Sequence, residues 1–186
     1  MKPLEREAIL IRLIKALVER GSWCGETLVQ KSAYFLQELL QVPTGFNFIL
    51  YKHGPFAFDL RDELAAMVTD GFISFKPRYP GHELAINDSG ERLLKKFAGA
   101  VGSFDSQITF VADELGCKGV VELEKLGTAL YISNNNPSIK GDDARAGEIA
   151  GLKPHISLEE ARIAVAVVDE LQRNAKDLVY ADAGVN

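Results

Sequence analysis

The chain has 186 residues, enough to bury a substantial core, and 47% hydrophobic against 25% charged residues is the balance of a folded rather than a disordered protein. No apolar run reaches the roughly 18 residues of a membrane span, and the N-terminus alternates charge with apolar residues, unlike a signal or transit peptide, so a cytoplasmic protein without a membrane partner is expected. A net charge of −5 excludes a global field that draws in nucleic acid.

Leu4, Ala8, Ile11, Ile14, Leu17 and Val18 recur at helical spacing and predict a first helix that stops at Gly21. Trp23, the single tryptophan, is expected to pack under the first two helices. A second helix is predicted over about Glu26 to Gln41, with Leu28, Ser32, Phe35, Leu36, Leu39 and Leu40 as its buried stripe; Pro43 disfavours the helical conformation at Val42 and ends it. Phe46 to Tyr51 is aromatic and partly alternating, the pattern of a short strand. Gly54-Pro55 signals a turn, and Pro55 stands just ahead of a third helix, Phe56 to Thr69, where its missing N–H costs nothing. Gly71 ends that helix. Phe72, Ile73 and Phe75 begin a strand, Pro77, Pro80 and Gly81 make a hairpin loop, and Leu84 and Ile86 lie on the return strand.

Asp88 with Glu91 three residues on has the form of a capping box and opens a fourth helix carrying Leu93, Leu94 and Phe97. Gly99 to Gly102 read as a break. Phe104 to Leu115 and Val120 to Ile132 are two further helices, and Ser133 to Gly141 is a loop. Ser157 with Glu160 is a second capping box, opening a last helix that reaches about Arg173. Within it, the block Ile163 to Val168 is apolar on more than one face; a monomer's surface helix needs one stripe, so a homodimer is expected. Helix, helix, then hairpin is the order of a winged helix. The predicted fold is mostly α (α+β): a winged-helix-like core with a small β-hairpin wing over residues 1–100, and a C-terminal helical extension, residues 101–186, packed on it.

These residues resemble a known group. Leu28-Val29-Gln30-Lys31-Ser32-Ala33-Tyr34-Phe35-Leu36-Gln37 and Phe48-Ile49-Leu50-Tyr51-Lys52-His53-Gly54-Pro55-Phe56 are similar to two segments of the YwgA-like bacterial proteins, and through them to the wider SocA-like, or Panacea, antitoxin group. Leu60 to Leu64, Leu123 to Leu126 and Leu152 to Glu160 are similar to later parts of the same pattern. The sequence departs from it at Phe58, where the antitoxin-type pattern has a small polar residue. The resemblance implies a winged-helix-like fold and a regulatory, non-enzymatic role in binding another protein, such as a toxin. It carries no catalytic residues with it.

The residues themselves agree with a binding role. No GxSxG, Walker-type loop or GxGxxG appears. The three histidines, His53, His82 and His155, fall in separate loops, and the two cysteines, Cys24 and Cys117, lack CxxC spacing and read as reduced thiols. No catalytic residue, metal or cofactor is expected. Glu122 and Glu124 stand two apart, on different sides of a helix, and make no acid–base pair. An exposed aromatic beside Gly-Pro is a candidate protein contact, which points to His53, Gly54, Pro55, Phe56 and Phe58 as partner-binding residues. His53 is otherwise expected to close its turn by hydrogen bonding.

Nucleic-acid binding is the rival reading. The third helix, in the position of a recognition helix, carries Asp59, Arg61, Asp62, Glu63 and Asp70, and phosphates repel such a set. Residues 1–104 hold 13 basic and 12 acidic side chains, residues 105–186 hold 8 and 14, so any contact must come from a local patch in the first part. Lys76 and Arg78 on the wing, with Arg92, Lys95 and Lys96 on the helix after it, are that patch, and the DNA binding they imply is weak.

Overall fold

Pro3 sits in the first turn of α1 (Pro3–Glu19), whose residues from Glu7 to Leu17 are buried on most of the helix circumference. A helix apolar nearly all round belongs inside a fold, and α1 is the central strut against which α2 (Glu26–Glu38) packs. Gly21 ends it with φ +74°. A computed structural model describes residues 1–79 and 81–183, without the side chains of Arg78 and residues 180–183; Pro80, expected in the hairpin loop, lies outside the described residues.

The predicted strand from Phe46 begins three residues late. Gln37 on α2 is the reason: its Oε1 accepts from Phe46 N at 2.9 Å and from Thr44 Oγ1 at 2.6 Å, and its Nε2 donates to Phe46 O at 3.0 Å. The side chain thus takes the place of a neighbouring strand. β1 (Ile49–Tyr51) instead pairs antiparallel with β2 (Gly54–Phe56), Ile49 opposite Phe56 and Tyr51 opposite Gly54. Pro55 therefore lies in a strand and not at a helix start. Gln30 closes the hairpin's far end: its Oε1 accepts from Ala57 N and its Nε2 donates to Ala57 O, both at 3.0 Å and both buried.

α3 (Phe58–Thr69) follows, stopped by Gly71 at φ +72°. The wing is β3 (Ile73–Arg78) paired with β4 (Gly81–Ile86), Ile73 opposite Ile86 and Arg78 opposite Gly81, so Pro77 belongs to a strand rather than to the loop. A two-stranded ribbon tolerates a proline because each strand is an edge. Leu84 N donates to Cys24 O at 2.8 Å and ties the wing to the α1–α2 connection. Trp23 in that connection borders the wing at Gly81 and is 37% exposed, not packed under α1 and α2.

In α4 (Asp88–Lys96) the N-cap position falls on Asn87, whose side chain makes no cap hydrogen bond, and Asp88 is already helical, so the Asp88–Glu91 capping box does not form. Glu91 turns instead to Lys15, whose Nζ donates to it at 2.7 Å. The expected break at Gly99 is a short helix, α5 (Ala98–Gly102). α6 (Asp105–Leu115) and α7 (Val120–Asn135) come next; α7 extends three residues past its predicted end, into the asparagine run. α8 (Asp142–Leu152) is not predicted by the sequence pattern, since only Ala146 and Ile149 of it are buried and no apolar stripe shows. α9 (Leu158–Ala183) opens on the expected capping box: Glu160 N donates to Ser157 Oγ at 3.3 Å and Ser157 N donates to Glu160 Oε2 at 2.9 Å.

Among the described residues the fold is thus mostly α with two small antiparallel hairpins, a winged-helix order interrupted by β1–β2 and continued by a C-terminal helical part. The two parts share one apolar core: α6 and α7 pack on α1 and α2, and Ile108, Val111, Leu126 and Leu130 join Leu10, Leu13, Phe35 and Leu36 in a single cluster. In the run Ile163 to Val168, Ala164, Val165 and Val168 are buried, and α9 is covered by this chain's own α7 and α8; Ile163 is the large apolar side chain left exposed. The apolarity that suggested a homodimer is therefore mostly used within the chain. Among the described residues no helix is long and apolar enough to cross a membrane. Cys24 is buried and Cys117 exposed; burial pushes the Cys24 thiol up to about 12.

A candidate partner surface above a buried ionic cluster

β2 of the β1–β2 hairpin packs on α7. Gly54 adopts φ +82°, and a Cβ there would stand 3.2 Å from Glu124 O; a Cβ on Gly127 would stand 2.9 Å from Pro55 Cδ. Glycine is needed at both points for the two backbones to approach. Two lysines then fasten the hairpin. Lys31 Nζ, from α2, donates to Pro55 O at 2.6 Å. Lys153 Nζ, just after α8, donates to Tyr51 O at 2.6 Å and Lys52 O at 2.7 Å.

Glu124 on α7 is the carboxylate of this centre. Its side chain is nearly sealed, and Lys153 Nζ lies 3.6 Å from Oε1. His155 Nε2 is 3.1 Å from Oε1 and His53 Nδ1 is 3.4 Å from Oε2. A carboxylate only accepts, so each imidazole presents its protonated nitrogen. Thr128 Oγ1 donates to Glu124 O at 2.7 Å. Burial pulls Lys31 down to about 8, a fall that Lys153 deepens and Glu124 opposes. His53 thus bonds across to α7 rather than closing its own turn. Two of the three histidines that stand apart in sequence meet on one residue, while His82 lies on the wing edge-on to Phe75, with ring centroids 5.9 Å apart. Among the described residues no three His, Cys, Asp or Glu side chains converge as metal ligands.

On the outer side of the hairpin, Tyr51, Phe56 and Phe58 form a triangle of rings. Their centroids are 5.8 Å (Tyr51–Phe56), 5.6 Å (Tyr51–Phe58) and 5.1 Å (Phe56–Phe58) apart. The Arg61 guanidinium lies 5.2 Å above Phe58. Tyr51 is 53% and Phe58 41% exposed, and Ile49 beside them is exposed as well. Of the residues expected to meet a partner, His53, Phe56 and Phe58 reach the surface. Gly54 and Pro55 are buried beneath it and shape the hairpin. Tyr51, a residue of β1, joins the surface. The sequence pattern singles out neither it nor Lys31, Glu124 or Lys153. Lys31 did leave a signal: with Leu28, Ser32 and Phe35 it falls on the apolar stripe of its helix, where an ammonium needs a partner.

The cations of the rival reading divide. Arg92, Lys95 and Lys96 are exposed at i, i+3 and i+4 and share one face of α4. Lys76 is exposed on the wing, and the Arg78 side chain lies outside the described residues. Among the described residues no carboxylate comes within ion-pair distance of Lys76, Arg92, Lys95 or Lys96. On α3, Glu63 pairs with Arg6, and Asp59 accepts from Asn47 N and Nδ2 at 3.0 Å each. Asp62, bonded to the neighbouring Arg61, stays exposed, as does Asp70 at the helix end. Compared with known proteins, the chain matches no protein-family model, and no curated protein is similar enough in sequence to count as a relative.

Proposed function

We propose that this chain is a non-enzymatic regulatory module that binds another protein, antitoxin- or adaptor-like in character, with the β1–β2 hairpin as its contact. The observation that carries the reading is the exposed Tyr51–Phe56–Phe58 triangle, held on a hairpin that Lys31, Lys153 and Glu124 fasten from below. Packed aromatics with an adjoining arginine are the residues that dominate binding energy at interfaces. Rings on a fixed backbone also lose little freedom on binding. The amines of the cluster donate to backbone carbonyls, which suits a structural clamp rather than a reaction centre.

The test is co-purification from the source cell with a tagged chain, comparing wild type with the Tyr51→Ala/Phe58→Ala double variant. Both side chains are exposed, so the circular dichroism spectrum should not change. A stoichiometric partner should be retained by wild type and lose at least about 30-fold in affinity with the variant, the effect of one hot-spot aromatic of about 2 kcal/mol. Equal retention by both proteins would sink the reading.

The α4 cations, which meet no carboxylate among the described residues, favour a second reading, contact with a DNA backbone. Binding of that kind is weak and falls with salt at a log–log slope of at most about −4.5 if all five predicted cations meet phosphates. A titration against genomic fragments at two salt concentrations measures it, with Lys76→Ala/Arg78→Ala expected to remove most of the binding and Arg61→Ala to change little. Nanomolar, sequence-selective binding at physiological salt that depends on Arg61 would replace the protein-binding reading with a transcription factor.

A further inference from the structure

The ionic centre beneath the hairpin is not neutral. Lys31 and Lys153 are 2% and 6% exposed, and among the described residues the carboxylate buried with them is Glu124 alone, 5% exposed. Two ammonium groups therefore share one negative charge. The carbonyls of Tyr51, Lys52 and Pro55 stabilise the amines as acceptors but bring no charge. An excess buried charge is costly unless an opposite charge reaches it. Lys31 also has donors to spare: an ammonium offers three N–H groups, and Pro55 O is its one acceptor among the described residues.

A cavity of about 160 Å3 opens beside it, lined by Lys31, Thr27, Glu26, His53, Tyr51 and Phe56 among others. The volume lies well below the roughly 300–1,000 Å3 of a small-molecule site. It suits a single side chain rather than a substrate or cofactor. Glu26 is the acidic residue in the cavity lining; as the first residue of α2 it sits at the positive end of the helix dipole, which offsets its charge. His155 and His53 touch Glu124 from the solvent side and add positive charge when protonated. Tyr51 and Phe56 belong both to the cavity wall and to the exposed ring triangle, so cavity and aromatic surface are one continuous site.

We propose that this cavity receives one acidic side chain, Asp or Glu, of the protein partner, whose carboxylate meets Lys31 while the adjoining apolar residue of the partner covers Tyr51, Phe56 and Phe58. The assignment rests on the protein-binding reading above and adds the chemistry of the contact. The carboxylate supplies the missing negative charge, and the rings exclude water around it.

The probes are acetate and N-acetylglutamate amide, with acetamide as the uncharged control, titrated at constant ionic strength and followed by NMR of the Lys31 and His53 side chains. Both carboxylates should shift these signals saturably in the millimolar range, acetamide should not, and Lys31→Met should abolish the response. Shifts that never saturate, that acetamide reproduces, or that survive in Lys31→Met overturn the proposal. The acetate–acetamide comparison on wild type decides even if Lys31→Met fails to fold. With the co-purified partner, Lys31→Met should weaken binding at least about tenfold. A partner that needs Tyr51 and Phe58 but ignores Lys31→Met overturns the acidic-side-chain assignment and leaves the interface reading standing; a partner indifferent to all three overturns both.

Discussion

Glu124→Gln is expected to lower the stability of the folded chain by about 3–5 kcal/mol, the usual cost of removing one partner from a buried ion pair. The substitution keeps the size of the side chain and removes only its charge. Lys153 Nζ, now 3.6 Å from a carboxylate oxygen, would be left with two backbone carbonyls and no counter-charge, and Lys31 would lose the one negative group that offsets its burial. His53 and His155 would face a neutral amide. Folded domains hold about 5–15 kcal/mol in all, so the loss is a large share of the total. Urea unfolding at neutral pH, followed by circular dichroism, measures it. A Glu124→Gln/Lys153→Met double variant should recover part of the loss, because removing both charges is far cheaper than stranding one. A loss under about 1 kcal/mol for Glu124→Gln would mean that the carboxylate is not the counter-charge of this centre. The hairpin depends on the same contacts, so Tyr51 should lose its fixed position along with the stability.

The features legible in the sequence are those set by neighbours in the chain. Gly21 and Gly71 mark helix ends because both take positive φ, and Ser157 with Glu160 marks the start of α9 because a capping box spans four residues. Where a distant side chain competes, the local signal fails. Phe46 has the pattern of a strand, yet Gln37 takes both of its backbone groups. Asp88 and Glu91 have the spacing of a capping box, yet Lys15 from α1 claims Glu91. α8 buries two residues, Ala146 and Ile149, too few to show a period. The aromatic half of the candidate site was legible in part, since Phe56 and Phe58 stand beside Gly-Pro. Its ionic half was not: Lys31, His53, Glu124, Lys153 and His155 are scattered over 125 positions and meet only because the hairpin is laid across α7 and the α8–α9 connection returns to it. Such a centre has no spacing rule. Its trace in the sequence was one lysine on an apolar stripe.

Between pH 8 and 10.5, the stability of wild type relative to Lys31→Met is expected to rise by roughly 3 kcal/mol. Burial lowers Lys31 from its ordinary value of 10.5 to about 8, so the sign follows from which state holds the proton. Below pH 8 the amine is charged in both states and the difference between the two proteins is flat. Between 8 and 10.5 the folded chain has released the proton while the unfolded chain still binds it, and raising the pH favours the state that binds fewer protons. Above 10.5 both states are neutral and the difference is flat again. Cys24 and Tyr34 work in the opposite direction, since burial raises both and the folded chain keeps protons that the unfolded chain loses. They are common to the two proteins, so they cancel in the difference although not in either curve alone. Denaturant midpoints for both proteins at pH 7, 8, 9 and 10 supply the comparison. A difference that stays constant across that range would place Lys31 in contact with water rather than in a dry centre. It would also remove the reason for an anion to enter the cavity, because a hydrated ammonium needs no partner. A rise that disappears when the partner is bound is the opposite case: a carboxylate beside Lys31 stabilises the charged amine and returns it toward its ordinary value.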